Sequence, residues 1–141
     1  MIPTLDTIRS VIRFCRGNGI IPNDFYKNPH CTIIYSPKII PVDTIVVPQY
    51  PLPIRGENSE LCIFTDKDGR RFLVIQFDSS ALTDMHYKLR MRYGIRPDYT
   101  YRPHITLSKD FKGTLGNTRV RLKPQFIKLY MDNGPFGPKR R

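Results

Sequence analysis

The sequence predicts a single α+β domain built on antiparallel sheets, and three observations predict it. Its 141 residues suit one domain, and a 40% apolar content is enough for one modest core. Helical and strand periodicities alternate in the order helix, strands, hairpin, helix, strands. An Asp68-Gly69 pair between two apolar runs predicts a tight hairpin, which pairs neighbouring strands in antiparallel fashion.

Two segments have the apolar spacing of amphipathic helices. In the first, apolar residues recur every three or four positions from Leu5 to about Arg16, and glycines follow. The second begins with a serine cap at Ser79 or Ser80 and ends near Arg92. We expect both helices to pack one face against the sheets.

Runs of β-branched and aromatic residues predict five strands, at 31–35, 60–65, 71–77, 104–108 and 125–131. Four prolines between residues 39 and 54 favour an extended, irregular segment there. The glycine- and proline-rich stretch 133–141 is predicted to be a flexible tail. Residues 1–141 are therefore predicted to form one domain with a mobile end.

Charge and cysteine content limit the classes of function. The formal charge is +11, from 23 lysines and arginines against 12 acidic residues. Such a surface either binds a polyanionic partner or is basic without any specific partner. Cys15, Cys31 and Cys62 are an odd set without C-x-x-C spacing, which argues against disulfides and zinc. Asp6 interrupts the N-terminus before any long apolar run. We expect a cytoplasmic protein with no membrane partner.

Two of the three histidines lie in the same tripeptide pattern on predicted strands. These are His30-x-Thr32 and His104-x-Thr106. Residues two apart on a strand point to the same face, so each motif presents an imidazole beside a hydroxyl. A single motif would more often hold a structural histidine, but the repetition favours a site. His86, on the second helix, is predicted to be an ordinary surface or core-edge residue.

This combination suits a phosphodiester. Threonine hydroxyls donate hydrogen bonds to phosphate oxygens, and imidazoles titrate near neutrality (about pH 6.5), so one can accept a proton while the other donates one. His30, Thr32, His104 and Thr106 are the predicted catalytic residues. The sequence has no recognisable metal-ligand spacing, so we expect neither a metal nor another cofactor.

The two motifs resemble those of the two-histidine (2H, LigT-like) phosphoesterase superfamily. The string Pro103-His-Ile-Thr-Leu-Ser108 is similar to the second superfamily motif. Within the superfamily, His30-Cys-Thr-Ile-Ile-Tyr-Ser-Pro-Lys38 and Leu107-Ser-Lys-Asp110 look most like the bacteriophage anti-CBASS phosphodiesterases. The resemblance covers about Leu5 to Met131. It implies two α+β lobes around a central cleft.

That resemblance also implies a reaction. Such enzymes cleave 3′–5′ linkages in the cyclic di- and trinucleotides that trigger bacterial immune effectors, by attack of a ribose 2′-hydroxyl. His30 and His104 would share the base and acid roles, in an order that stays open. A phage enzyme would work in the host cytoplasm.

Several residues are predicted to bind substrate around these motifs. Tyr99, Tyr101, Arg102 and Lys109 would steer or stack an anionic nucleotide, although the tyrosines could instead pack their loop. The family closes its site with a Trp, and this chain contains no Trp. Phe136 is therefore the aromatic residue that could stack on a base instead. The family's leading strand also has no counterpart in the pattern, since the first helix begins almost at Met1.

Two alternative functions remain at this stage. One keeps the site but acts on RNA ends bearing 2′,3′-cyclic phosphate, or on 2′–5′ oligoadenylate. The other is a basic RNA-binding module without catalysis, for which the sequence offers no stacking platform or glycine-rich loop. The pattern specifies neither base preference nor oligomeric state.

Overall fold

The structure is a computed structural model that describes residues 1–35, 40, 44–96, 100–116 and 118–129. Within these ranges it contains three helices, α1 (Leu5–Gly17), α2 (Asn23–Lys27) and α3 (Ser80–Tyr93). The strands of the same ranges are β1 (Ile2–Pro3), β2 (Ile54–Arg55), β3 (Glu57–Thr65), β4 (Arg71–Asp78), β5 (His104–Ser108) and β6 (Gln125–Lys128). The α+β class is confirmed.

The long helices begin and end where the sequence predicts. The Thr4 hydroxyl accepts a hydrogen bond from the Thr7 amide at 3.1 Å, and Ser79 caps α3 in the same way. Gly94 ends α3 at a φ of 61°, in the left-handed region that glycine adopts without strain. Each cap satisfies backbone groups that the helix itself leaves unpaired.

The described strands form two antiparallel sheets of three strands, in the orders β1-β6-β2 and β3-β4-β5. The predicted hairpin is confirmed: a carboxylate oxygen of Asp66 accepts from the amides of Asp68 and Arg70 at 3.0 and 2.9 Å, and Gly69 has a φ of 80°. Single bridges extend the second sheet at both edges, because Cys31 pairs with Ile105 of β5 and Glu60 of β3 with Arg119.

The core lies between the two sheets and the helices. Phe77 of β4 stacks on Phe126 of β6 with ring centroids 5.6 Å apart, and both rings are buried. Gly56 lies so close that a Cβ there would overlap Phe77 and Pro124. Helix α3 contributes Leu82 and further apolar side chains to the same cluster. The sheets are therefore joined by close aromatic packing.

Four local features differ from what the sequence predicts. Segment 31–35 is not a strand; only Cys31 makes a bridge, and the chain then continues irregularly. Residues 23–27, for which the sequence analysis predicts no element, form the short helix α2. A strand does precede the first helix, because β1 pairs with β6. The stretch 125–131 is a strand only to Lys128, and residues 130, 131 and 133–141 lie outside the described part of the chain.

None of the described helices has the length and apolar character needed to cross a membrane.

Candidate active site

The second motif lies on β5, where alternate residues face opposite sides of the sheet. Ile105 and Leu107 are completely buried in the core. His104 and Thr106 are half-buried and point to the other side. The core packing of the apolar pair therefore fixes the strand that carries the imidazole and the hydroxyl.

The first motif follows α2 and lies against the free edge of β5. Its central residue, Cys31, is completely buried and forms an antiparallel bridge with Ile105. On the other side, the Cys31 amide donates a hydrogen bond to the Met1 carbonyl at 2.9 Å. A buried residue held from both sides thus anchors the motif, although no regular strand surrounds it.

The register of this bridge brings the two motifs together. Residues that flank an antiparallel pair lie opposite each other, so His30 is across from Thr106 and Thr32 is across from His104. Side chains that are opposite in this way project from the same face, with Cβ atoms about 5 Å apart. The bridge register is thus the one expected to set the four predicted catalytic side chains on one face of the sheet.

Both imidazoles are held by the same kind of hydrogen bond. Nδ1 of His30 contacts the Asn28 carbonyl at 2.7 Å, and Nδ1 of His104 contacts the Arg102 carbonyl at 2.8 Å. A carbonyl only accepts, so this geometry assigns the proton of each neutral ring to Nδ1. In both neutral rings Nε2 is then the basic nitrogen, which is the atom that can take a proton from a ligand.

The environment of His104 favours its neutral form. Burial lowers the pKa of His104, and the charge of His30 lowers it further, while the hydrogen bond to the Arg102 carbonyl opposes both effects. The ring edge of Phe64 lies against the imidazole, with centroids 4.8 Å apart. A neutral His104 has its Nε2 lone pair available to accept a proton.

Removing His30 is expected to raise the pKa of His104, because the substitution His30→Ala deletes the positive charge that disfavours protonation. The C2–H resonance of His104, followed by NMR against pH, measures this. Ser108→Ala, a substitution on the same strand that leaves the charge in place, is the control. An unchanged or lower His104 pKa in His30→Ala would contradict the electrostatic coupling.

Sequence reasoning missed two side chains beside His104. Gln76 of β4 pairs directly with His104, and its buried Oε1 has no hydrogen-bond partner among the described residues. Phe64 reaches the imidazole from β3. Both residues lie near His104 only because of the order of the strands in the sheet, which the sequence does not show. The alternation of Gln76 with buried Ile75 and Phe77 is the signal that could have indicated the face of β4 on which Gln76 lies.

His86 is not a surface or core-edge residue, as the sequence suggested, but is completely buried. Its Nδ1 contacts the Ile33 carbonyl at 2.7 Å, and its ring stacks on Tyr101 with centroids 4.1 Å apart. Tyr101 is itself only 8% exposed and donates its hydroxyl to the Thr32 carbonyl at 2.8 Å. These contacts make Tyr101 a support for the first motif; substrate binding by this residue stays a prediction.

The other predicted substrate-binding residues have different surroundings. Arg102 is exposed and lies two residues before His104. Lys109 lies at the end of β5, where its Nζ forms an ion pair with Asp24 of α2 at 3.3 Å. Tyr99 and Phe136 lie outside the described residues. Both predicted ligand-binding cations are therefore exposed beside the second motif, and Lys109 is also paired with Asp24.

The described ranges contain no group of three His, Cys, Asp or Glu side chains that could hold a metal ion. What they do contain is a pair of His-x-Thr motifs joined by the Cys31–Ile105 bridge. Such a set can exchange protons and donate hydrogen bonds to an anion. Fold and geometry together describe an α+β protein in which two His-x-Thr motifs lie side by side at the edge of a sheet.

A comparison with protein families narrows this class. The family model described as anti-CBASS protein Acb1 matches residues 4–131, which is most of the chain. The chain belongs to the Acb1 family of anti-CBASS proteins. Its general role is therefore phage counteraction of CBASS, which implies interaction with cyclic oligonucleotide signals.

Proposed function

We propose that this protein is a metal-independent phosphodiesterase of the two-histidine type, which cleaves 3′–5′ linkages of the cyclic di- and trinucleotides that activate CBASS. The observation that supports the proposal is the bridge between Cys31 and Ile105, because it brings the two His-x-Thr motifs side by side. Membership of the Acb1 family supports the substrate class.

The histidines take opposite roles in the proposed reaction. His104, whose pKa burial lowers, is neutral and accepts the proton of a ribose 2′-hydroxyl at Nε2. The 2′-oxygen attacks the adjacent phosphorus as the bond to the 5′-oxygen breaks. His30 in its protonated form donates a proton to that leaving oxygen. The products are a 2′,3′-cyclic phosphate and a free 5′-hydroxyl.

The threonines orient the phosphate in this scheme. Thr106 is half-buried and Thr32 is exposed, and each lies opposite the histidine of the other motif. Their hydroxyls donate hydrogen bonds to the nonbridging oxygens, which places the phosphorus between the two imidazoles. Water can open the cyclic phosphate when the two histidines exchange roles.

The experiment that tests the proposal offers the purified protein a panel of substrates in buffer containing EDTA. The panel contains cyclic di- and trinucleotides with 3′–5′ linkages, RNA ends with 2′,3′-cyclic phosphate, and 2′–5′ oligoadenylate. We expect cleavage of the cyclic oligonucleotides at the same rate with and without EDTA. Mass spectrometry is expected to detect the 2′,3′-cyclic phosphate product.

A 2′-deoxy analogue of the substrate tests the role of the attacking hydroxyl directly. A cyclic dinucleotide with 2′-deoxyribose lacks the attacking hydroxyl, so it should bind without being cleaved. Cleavage of the deoxy compound, or a requirement for added metal, would contradict the mechanism. Activity confined to linear RNA ends or 2′–5′ oligoadenylate would select the alternative substrate class, and binding of RNA without any cleavage would select the non-catalytic module.

A further inference from the structure

Two stacked aromatic rings lie beneath the first motif. His86 of α3 and Tyr101, which we call the ring pair, are nearly parallel, with an interplanar angle of 7° and centroids 4.1 Å apart. Their exposed fractions are 0% and 8%. Two polar side chains buried so completely require hydrogen-bond partners. These partners show which part of the backbone the two rings bind.

The ring pair binds two consecutive backbone carbonyls. The Tyr101 hydroxyl donates to the Thr32 carbonyl at 2.8 Å, and Nδ1 of His86 donates to the Ile33 carbonyl at 2.7 Å. Beyond Cys31 the first motif leaves the strand ladder, so these carbonyls have side-chain donors where a strand would supply backbone amides. Tyr101 and His86 therefore supply the hydrogen-bond donors for the carbonyls of Thr32 and Ile33, where the regular ladder ends.

The same contacts join the two motifs. Tyr101 precedes His104 by three residues, and Arg102 between them accepts the hydrogen bond from the His104 imidazole. The segment that orients the second histidine thus also holds the backbone of the first motif. His86 connects both motifs to α3. Leu82 and Leu89 of the same helix are buried in the core.

We propose that the ring pair is a positioning device that fixes Thr32 relative to His104, a role that rests on the proposed phosphodiesterase function. Neither ring touches the reacting atoms in this scheme. Because a misplacement of about 1 Å can cost roughly 10²-fold in rate, loss of one hydrogen bond should affect turnover more than ligand binding.

Three substitutions separate the hydrogen bonds from the ring packing. Tyr101→Phe keeps the ring and removes the donor. His86→Phe does the same at the other position. His86→Asn loses the stacked ring but retains an amide donor near the place of Nδ1, and Asn and His have similar helix propensities. Tyr87→Phe, which removes a hydroxyl from the exposed neighbour of His86, is the matched control.

We expect Tyr101→Phe and His86→Phe to lower kcat about 10-fold at a KM within about twofold of the original value. His86→Asn should recover most of the lost kcat, and Tyr87→Phe should match the unsubstituted protein. Equal kcat in all variants would overturn the proposal. So would losses that follow the unfolded fraction in each sample, or a failure of His86→Asn to exceed His86→Phe.

A second readout does not depend on catalysis. Amide hydrogen exchange at residues 32–34 should accelerate in Tyr101→Phe and His86→Phe, while exchange in β4 stays unchanged. Unchanged exchange at 32–34 would show that the ring pair does not hold the motif. If the unsubstituted protein cleaved nothing in the panel, the proposed function would fail on its own, and the exchange data would still decide whether the ring pair fixes this segment.

Discussion

Replacing either His30 or His104 with alanine is expected to lower kcat by about 10²- to 10⁴-fold, because each imidazole transfers one proton in the transition state. The double substitution should cost much less than the product of the two, since the groups act as a unit. Initial rates of cyclic oligonucleotide cleavage, measured at saturating substrate, check this. KM should change little, because the imidazoles contribute mainly to the transition state.

The control for this prediction is Ser108→Ala. Ser108 lies on the same strand as His104, beyond a register shift that pairs it with Leu73, and it takes no part in the proposed reaction. Its kcat should stay within about threefold of the original value, given that substitutions away from special features change stability by only about 0.5 kcal/mol. Full activity in both histidine variants would exclude the acid–base assignment.

Replacing Phe77 with alanine is expected to destabilise the fold by about 3–5 kcal/mol, because it leaves a cavity where the two sheets meet. Phe77 is 1% exposed and stacks on Phe126, which is completely buried. A loss of that size should lower Tm by on the order of 10 °C. Thermal unfolding followed by circular dichroism measures the change.

Phe72→Ala provides the comparison on the same strand. Phe72 is only half-buried, and the guanidinium of Arg70 lies 5.6 Å from its ring centroid. Its removal exposes less new cavity surface, so we expect less than half of the Phe77 effect. Equal losses at the two positions would contradict the packing that joins the sheets.

The elements that the sequence predicted well are those specified by local interactions. The hairpin depends on Asp66 and Gly69, which lie within the turn that they shape. Helices α1 and α3 have caps and apolar spacing within their own segments. Strand β5 alternates His104 and Thr106 with buried Ile105, and this period of two is visible in sequence.

The elements that sequence reasoning predicted wrongly depend on distant partners. Segment 31–35 is rich in β-branched residues, yet side chains from α3 and the loop before β5 bind its carbonyls, so only Cys31 pairs with a strand. Strand β1 has two residues and exists because β6 lies beside it. Propensity over so few residues cannot predict pairing with a segment more than a hundred positions away.

In the candidate site, too, local features could be predicted from the sequence and features that depend on distant residues could not. The repeated His-x-Thr pattern nominates its four residues, because two of the three histidines in the chain share it. The relation between the motifs required the Cys31–Ile105 register, and the burial of His86 required knowledge of what α3 packs against. Gln76 is adjacent to His104 only through the pairing of β4 with β5.

An antiparallel bridge has a local twofold axis between its two residues, perpendicular to the sheet. The axis between Cys31 and Ile105 exchanges His30 with His104 and Thr32 with Thr106. The hydrogen bonds of both imidazoles to the carbonyl two residues earlier obey this pseudosymmetry. A site with two equivalent halves would have no preferred direction for proton transfer. The asymmetry here comes from the surroundings, because Phe64 and the burial of His104 act on one half.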